Sequence, residues 1–128
     1  MNQEMTPRDP LSERVIGLAI EVHRALGPGL LESAYEECLC LELNQHALEH
    51  SRQVPLAVSY KGLLIDAAYR IDLLIEKRLL VELKTVERIL PLHEARLLTY
   101  LRLSSMKGGL LLNFNVPVLR DGIRRMVL

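Results

Sequence analysis

The run Tyr69-Arg70-Ile71-Asp72-Leu73-Leu74-Ile75, followed after Glu76-Lys77-Arg78 by Leu79-Leu80-Val81-Glu82-Leu83-Lys84, decides how this chain reads. Both runs are apolar enough to be buried strands, and the charged segment between them makes a hairpin the natural connection. Side chains alternate along a strand, so Glu82 and Lys84 share one face while Val81 and Leu83 take the other. Register decides whether Asp72 joins them. A two-residue loop at Lys77-Arg78 pairs Glu82 with Leu73 and sends Asp72 to the opposite face. A three-residue loop, Glu76-Lys77-Arg78, pairs Ile75 with Leu79 and sets Asp72 directly across from Glu82.

Two facing carboxylates repel each other and stay ionised only where a cation compensates them. Such a pair can hold Mg2+, and a lysine beside it can orient or help deprotonate a water for attack on phosphorus. That is the chemistry of phosphodiester hydrolysis. The structural alternative is a cross-strand ion pair on a solvated sheet face, which contributes little. The flanking Leu, Ile and Val add weight to the first reading without displacing the second, because buried charges are seldom kept without a partner or a task.

Upstream of the hairpin the pattern is helical. Ser12 reads as the N-cap of a helix carrying Val15, Ile16, Ala19, Ile20, Val22, Ala25 and Leu26, and Gly27-Pro28-Gly29 ends it. A second helix is expected from about Leu30 to about Ala47, with Leu31, Ala34, Cys38 and Leu41 along one stripe. Val54, Leu56 and Val58 then alternate, Lys61-Gly62 reads as a turn, and Leu63–Ala67 resumes extended structure before Tyr69–Ile75 and Leu79–Val86. Downstream, Pro91 fits the first turn of a third helix with Leu97, Leu98 and Leu101 on its apolar face. Gly108-Gly109 breaks to Leu110–Phe114, a strand apolar enough to be buried on both faces, and Ile123–Val127 reads as a last short strand. The order α-α-β-β-β-α-β-β predicts an α/β domain, a mixed β-sheet flanked by helices.

Composition bounds the rest. With 128 residues, 49% hydrophobic, the chain reads as a tail over residues 1–10 and a single domain over 11–128. A domain of that size buries about two-thirds of its unfolded surface, so folding requires neither disulfides nor a structural metal. Cys38 and Cys40 lie two apart in a helical pattern, point to different sides, and read as reduced thiols of a cytoplasmic protein. No apolar run reaches the length of a membrane span, and Met1–Pro10 lacks the basic-then-apolar pattern of a secretion signal. The 16 Lys+Arg balance 16 Asp+Glu, which excludes a simple polycation as the explanation of any nucleic-acid partner. The balance is uneven, however: from Lys84 onward eight cations face three carboxylates, giving +5, and the first 83 residues carry −5. Cations there would steer phosphates toward ligands that otherwise repel them. Aromatic residues make up only 4%, which weighs against a single-strand binder built on a row of stacking platforms.

Gly29-Leu30-Leu31-Glu32-Ser33-Ala34-Tyr35 is a G-x-x-E-x-x-Y motif, and Asp72 with Glu82-Leu83-Lys84 has the form of a PD-(D/E)XK signature. Together with Val22-His23, Leu26-Gly27-Pro28-Gly29, Tyr60-Lys61-Gly62, His93 and Leu111-Leu112-Asn113-Phe114-Asn115, they make the chain resemble the GxxExxY protein family of the PD-(D/E)XK nuclease superfamily, from about Leu11 to Val127. The resemblance implies a restriction-endonuclease-like core. It also implies that Asp72 and Glu82 bind Mg2+ or Mn2+ with the Leu83 carbonyl as a further ligand, that Lys84 orients water or stabilises charge, and that Glu32 approaches the metal from the second helix. Tyr35, one turn after Glu32, would bond a carboxylate or phosphate, or else lie at the core edge. His93 would face the same cleft, or else only begin its helix. Family members usually carry Gln four residues before a Tyr, where this chain has Arg96 before Tyr100; arginine meets a phosphate by charge but lacks the amide's paired donor and acceptor.

The resulting expectation is a Mg2+-dependent nuclease acting on DNA, less on RNA. So short a chain has little surface to spare for reading sequence, so a homodimer or protein partner is expected to help hold substrate. The alternatives are a non-catalytic binding or accessory module on the same scaffold, and a structural salt-bridge network of Glu32, Asp72, Glu82 and Lys84.

Overall fold

A computed structural model describes residues 8–128. Helices α1 (Pro10–Leu26) and α2 (Glu32–Gln45) form the expected helical hairpin, followed by strands β1 (His50–Tyr60), β2 (Leu63–Ile75) and β3 (Leu79–Lys84). Helix α3 (Pro91–Ser104), β4 (Gly108–Asn113), a short 3-10 turn (Leu119–Gly122) and β5 (Ile123–Val127) complete the chain. The five strands lie in the order β1-β2-β3-β4-β5, with β3 and β4 parallel and the other neighbours antiparallel. This is the mixed sheet and element order expected from the sequence.

Helix starts and strand ends differ from the sequence reading for identifiable reasons. Asp9, not Ser12, caps α1: its Oδ2 accepts from the Leu11 and Ser12 amides at 3.0 and 3.4 Å. Pro10 therefore opens the helix inside the expected tail of residues 1–10, of which residues 1–7 lie outside the described ones. α2 begins two residues later than expected, after a turn in which Gly27 and Gly29 take positive φ of 70° and 100°. Gly108-Gly109 opens β4 rather than breaking before it. A Cβ at Gly109 would press on the Leu80 carbonyl and on Leu97 and Leu101 of α3 at 3.1–3.3 Å, so glycine lets the helix lie close on the sheet. Leu63–Ala67 and Tyr69–Ile75 run together as one strand of 13 residues.

The register is that of the three-residue loop: Ile75 faces Leu79, Leu74 faces Leu80 and Leu73 faces Val81. Glu76 and Lys77 take left-handed φ of 52° and 54°, conformations uncommon outside glycine. Three contacts hold them there. Arg78 N–H donates to Ile75 O at 3.1 Å, Glu76 N–H donates to Glu49 O at 2.8 Å, and the Arg78 guanidinium meets Asp9 Oδ1 at 2.8 Å. The residue that caps α1 thus also pins the loop that sets the register.

The core has two layers. Val15, Ala19, Leu39 and Leu43 pack with Leu73, Val81, Leu83 and Leu112 on the α1/α2 face. Leu97, Tyr100 and Leu101 pack with Ile71, Leu80 and Leu111 beneath α3. Ile71 and Leu73 would share a face in an unbroken strand, yet they enter opposite layers, so β2 turns over at Asp72. No helix among the described residues is long and apolar enough to cross a membrane.

Candidate active site

Asp72 and Glu82 stand where the pairing of β2 with β3 stops. The ladder ends at Leu73 and Val81, and the next opposed pair is Asp72 with Glu82. In place of ladder bonds, each carboxylate serves the other strand's backbone. Glu82 Oε1 accepts from the Asp72 amide at 3.1 Å, and Asp72 Oδ2 accepts from the Leu83 amide at 2.9 Å. The strands separate, their amides stay satisfied, and both acids are held with oxygens still free to bind.

Glu82 is only 6% exposed. Burial, and after it the charge of Asp72, raises its carboxyl pKa to about 8, against the opposing pull of the Asp72 amide and Lys84. Glu32, half-buried at the first turn of α2, is also raised, first by burial and then by Asp72, with Lys84 opposing. The four residues singled out from sequence therefore act on one another electrostatically: Glu32 from one helical layer, Asp72 from the turned-over strand, Glu82 and Lys84 from one face of β3.

The other candidates divide. Tyr100 is buried on the sheet-facing side of α3, its phenol pKa raised by burial and then by Glu82, with Arg96 opposing. Arg96 and Tyr100 therefore belong to the neighbourhood of the acids. His93 spends Nδ1 on the Leu90 amide at 2.9 Å, the helix-start role, which leaves its Nε2 as the nitrogen available for other contacts. Tyr35 takes the core position that was the alternative to a chemical role. It is fully buried, stacked on Phe114 at 4.5 Å, donating to Gly27 O at 2.6 Å and accepting from the Leu30 amide at 3.2 Å. Its part is to brace the glycine turn that launches α2, and with it Glu32. The backbone at Phe114 is held by His23, whose buried Nε2 donates to Phe114 O at 3.1 Å and Val116 O at 2.8 Å.

Two further residues support the site without having been expected there. Gln53 lies on β1 between Arg52, which faces Leu73, and Val54, which faces Ile71, so it stands opposite Asp72. Its φ is 51°, and its Nε2 lies 2.9 Å from Glu36 Oε1 and 3.5 Å from Asp72 Oδ1. Nothing in an exposed glutamine of an edge strand announces this. Asn113 was legible: a polar residue inside the apolar run Leu110–Phe114 needs partners. It is 1% exposed, accepts from the Val86 amide at 3.0 Å and donates to Val86 O at 2.9 Å. With the Phe114 amide donating to Lys84 O at 2.9 Å, it fixes the backbone that presents Lys84.

A sequence model described as the PD-(D/E)XK nuclease superfamily matches residues 9–126. The chain belongs to that superfamily. No curated protein and no solved structure matches it. Asp72, Glu82 and Lys84 all lie within the matched residues.

PD-(D/E)XK nucleases usually use divalent metals, and the donor set suits one. Glu32, Asp72 and Glu82 offer oxygens only, the preference of a hard cation such as Mg2+ or Mn2+. A carboxyl that holds its proton up to about 8, first because it is buried and then because another acid faces it, is a group that a divalent cation would both deprotonate and stabilise. Among the described residues no three His, Cys, Asp or Glu side chains already stand together as a metal-binding group. Asp72 and Glu82 form the contact pair, and Glu32 acts on them through charge.

Proposed function

We propose that this domain is a Mg2+- or Mn2+-dependent nuclease that hydrolyses phosphodiester bonds, of DNA before RNA. The observation that carries the reading is the reciprocal Asp72–Glu82 arrangement at the strand split, with Lys84 two residues on along the same face of β3. Asp72 and Glu82 would hold the cation, with the Leu83 carbonyl as a further ligand and Glu32 adding negative charge or a water-mediated contact. The cation supplies Lewis acidity toward a phosphoryl oxygen and lowers the pKa of a bound water. Lys84 orients the attacking water or stabilises charge on the phosphate, acting from a backbone that Asn113 and Phe114 immobilise. Arg96 binds a substrate phosphate in place of an amide, and Tyr100 and His93 border that contact.

A cytoplasmic address agrees with two free cysteines, Cys38 half-buried and Cys40 buried. A second copy or a protein partner would enlarge the substrate surface, which sedimentation with and without nucleic acid measures. The decisive experiment is cleavage of labelled duplex, single-stranded and structured DNA and RNA with Mg2+ or Mn2+. We expect activity that Asp72→Ala and Lys84→Ala abolish with the fold retained by circular dichroism. Absence of cleavage on every substrate with either metal defeats the enzymatic reading. A second reading is a non-catalytic binding or accessory module on the nuclease scaffold. Calorimetric metal binding that Glu82→Ala removes, without any cleavage, selects it.

A further inference from the structure

A groove of about 480 Å3 runs between α3 and the β1–β2 hairpin, within the size range of small-ligand sites. Val58 and Tyr69 form its hairpin wall, and Leu92, Arg96, Tyr100 and Leu103 its helical wall. Tyr69 and Leu92 are exposed, at 48% and 64%, although both are large and apolar. The Tyr69 ring tilts against Tyr100 at a centroid distance of 6.1 Å and an interplanar angle of 55°. Tyr100 packs in one cluster with Ile71, the residue before Asp72, and with Leu80, two residues before Glu82 on β3, so the groove lies on the α3 side of the strands that carry the carboxylates. It therefore offers apolar walls, one accessible aromatic ring and a guanidinium, beside the strands that carry the Asp72–Glu82 pair.

We propose that this groove takes one unpaired nucleobase of the substrate, so that the site acts where a nucleotide lies outside a duplex: on a single strand, an end or a flap. The proposal rests on the nuclease reading of the Asp72–Glu82 pair and adds the substrate class. A continuous duplex presents phosphates and sugars to such a site while its bases stay stacked inside, leaving the apolar walls and Tyr69 without an occupant. An unpaired base has a free π-face to lay on Tyr69 and an adjoining phosphate for Arg96. The charge pattern fits an anionic chain: Arg96 lies on the groove wall, and α3 also carries Arg102. The low aromatic content of the chain agrees with a single stacking position in place of a row of platforms.

The test reads binding, so it is separable from cleavage. Fluorescence anisotropy with the Lys84→Ala protein and Mg2+ compares a single-stranded oligonucleotide, the same sequence as a duplex, and a single strand with abasic sugars, each as DNA and as RNA. The single strand is expected to bind about tenfold more tightly than its abasic counterpart. Tyr69→Ala should erase that difference, Tyr69→Phe should keep it, and duplex affinity should not respond to either change. The abasic comparison in the Tyr69-containing protein requires no groove variant to fold. Equal affinity for normal and abasic strands, or no binding of any single strand, overturns the groove proposal. A duplex-only nuclease indifferent to Tyr69 would overturn it while leaving the nuclease reading intact, whereas base-dependent binding with no cleavage would do the reverse. Loss of the base effect on DNA alone or RNA alone identifies which nucleic acid the groove serves.

Discussion

Glu82 is a carboxyl group that folding makes hard to ionise. In the unfolded chain it titrates near its ordinary 4.5, and in the folded, metal-free protein it holds its proton to about 8. Between those values the folded state binds the additional proton. The stability this confers is full below about 4.5 and is lost as pH rises toward about 8. Thermal unfolding in chelator should therefore show stability declining across that window, and Glu82→Gln, which cannot titrate, should flatten the decline. Mg2+ should raise the melting temperature more at the alkaline end, where no proton competes for the site. A profile that Glu82→Gln leaves unchanged would place the titration elsewhere. The signature singles out Asp72, Glu82 and Lys84 and the G-x-x-E-x-x-Y motif singles out Glu32, but Tyr35 shows the limit of reading by motif. A tyrosine one turn from an acid looks like a chemical partner, and only packing reveals that Phe114 and the Gly27 carbonyl occupy it.

At the scale of elements, the hairpin loop is where function was undecided by sequence. Two- and three-residue loops differ by one residue and place Asp72 on opposite faces. The longer loop prevails because contacts remote in sequence hold its left-handed residues, above all Arg78 on Asp9. Asp9→Ala removes a helix cap and this anchor together. A loss of about 1–2 kcal/mol is expected from the cap alone, measured by urea unfolding. Metal affinity should weaken as well, because a loosened loop no longer enforces the pairing that sets Asp72 across from Glu82. An Asp9→Asn protein, which retains the cap but gives up the charge, should keep most of the stability. If Asp9→Ala is neutral for both readouts, the loop is held by its own backbone bonds. Ser12 was the cap expected from sequence because its spacing before the apolar stripe is good; Asp9 wins because Pro10 is suited to the first helical position.

For the whole molecule, zero net charge conceals an acidic front portion and a basic final third. Folding also redistributes that basic third. Arg124 lies 3.5 Å from Glu94 and Arg125 lies 3.6 Å from Glu13, so two of its cations are paired within the fold. Arg96 is exposed beside the groove. Arg96→Gln should lower nucleic-acid affinity and reduce the slope of log affinity against log salt by about 1, as loss of one phosphate contact requires. Anisotropy titrations over a range of KCl concentrations measure it, and an unchanged slope would remove Arg96 from the substrate.

By itself, the sequence determined the element order, the apolar hairpin and the acids and lysine within it, because periodicity and residue chemistry are local properties. Tertiary structure decided the register of that hairpin, the reversal of β2 at Asp72, and the approach of α2 and α3 to the carboxylates. Those depend on contacts between residues far apart in the chain: Asp9 with Arg78, Tyr35 with Phe114, Asn113 with Val86. Whether an acid in a strand is a surface charge or a ligand depends on what packs around it, and no local pattern carries that information.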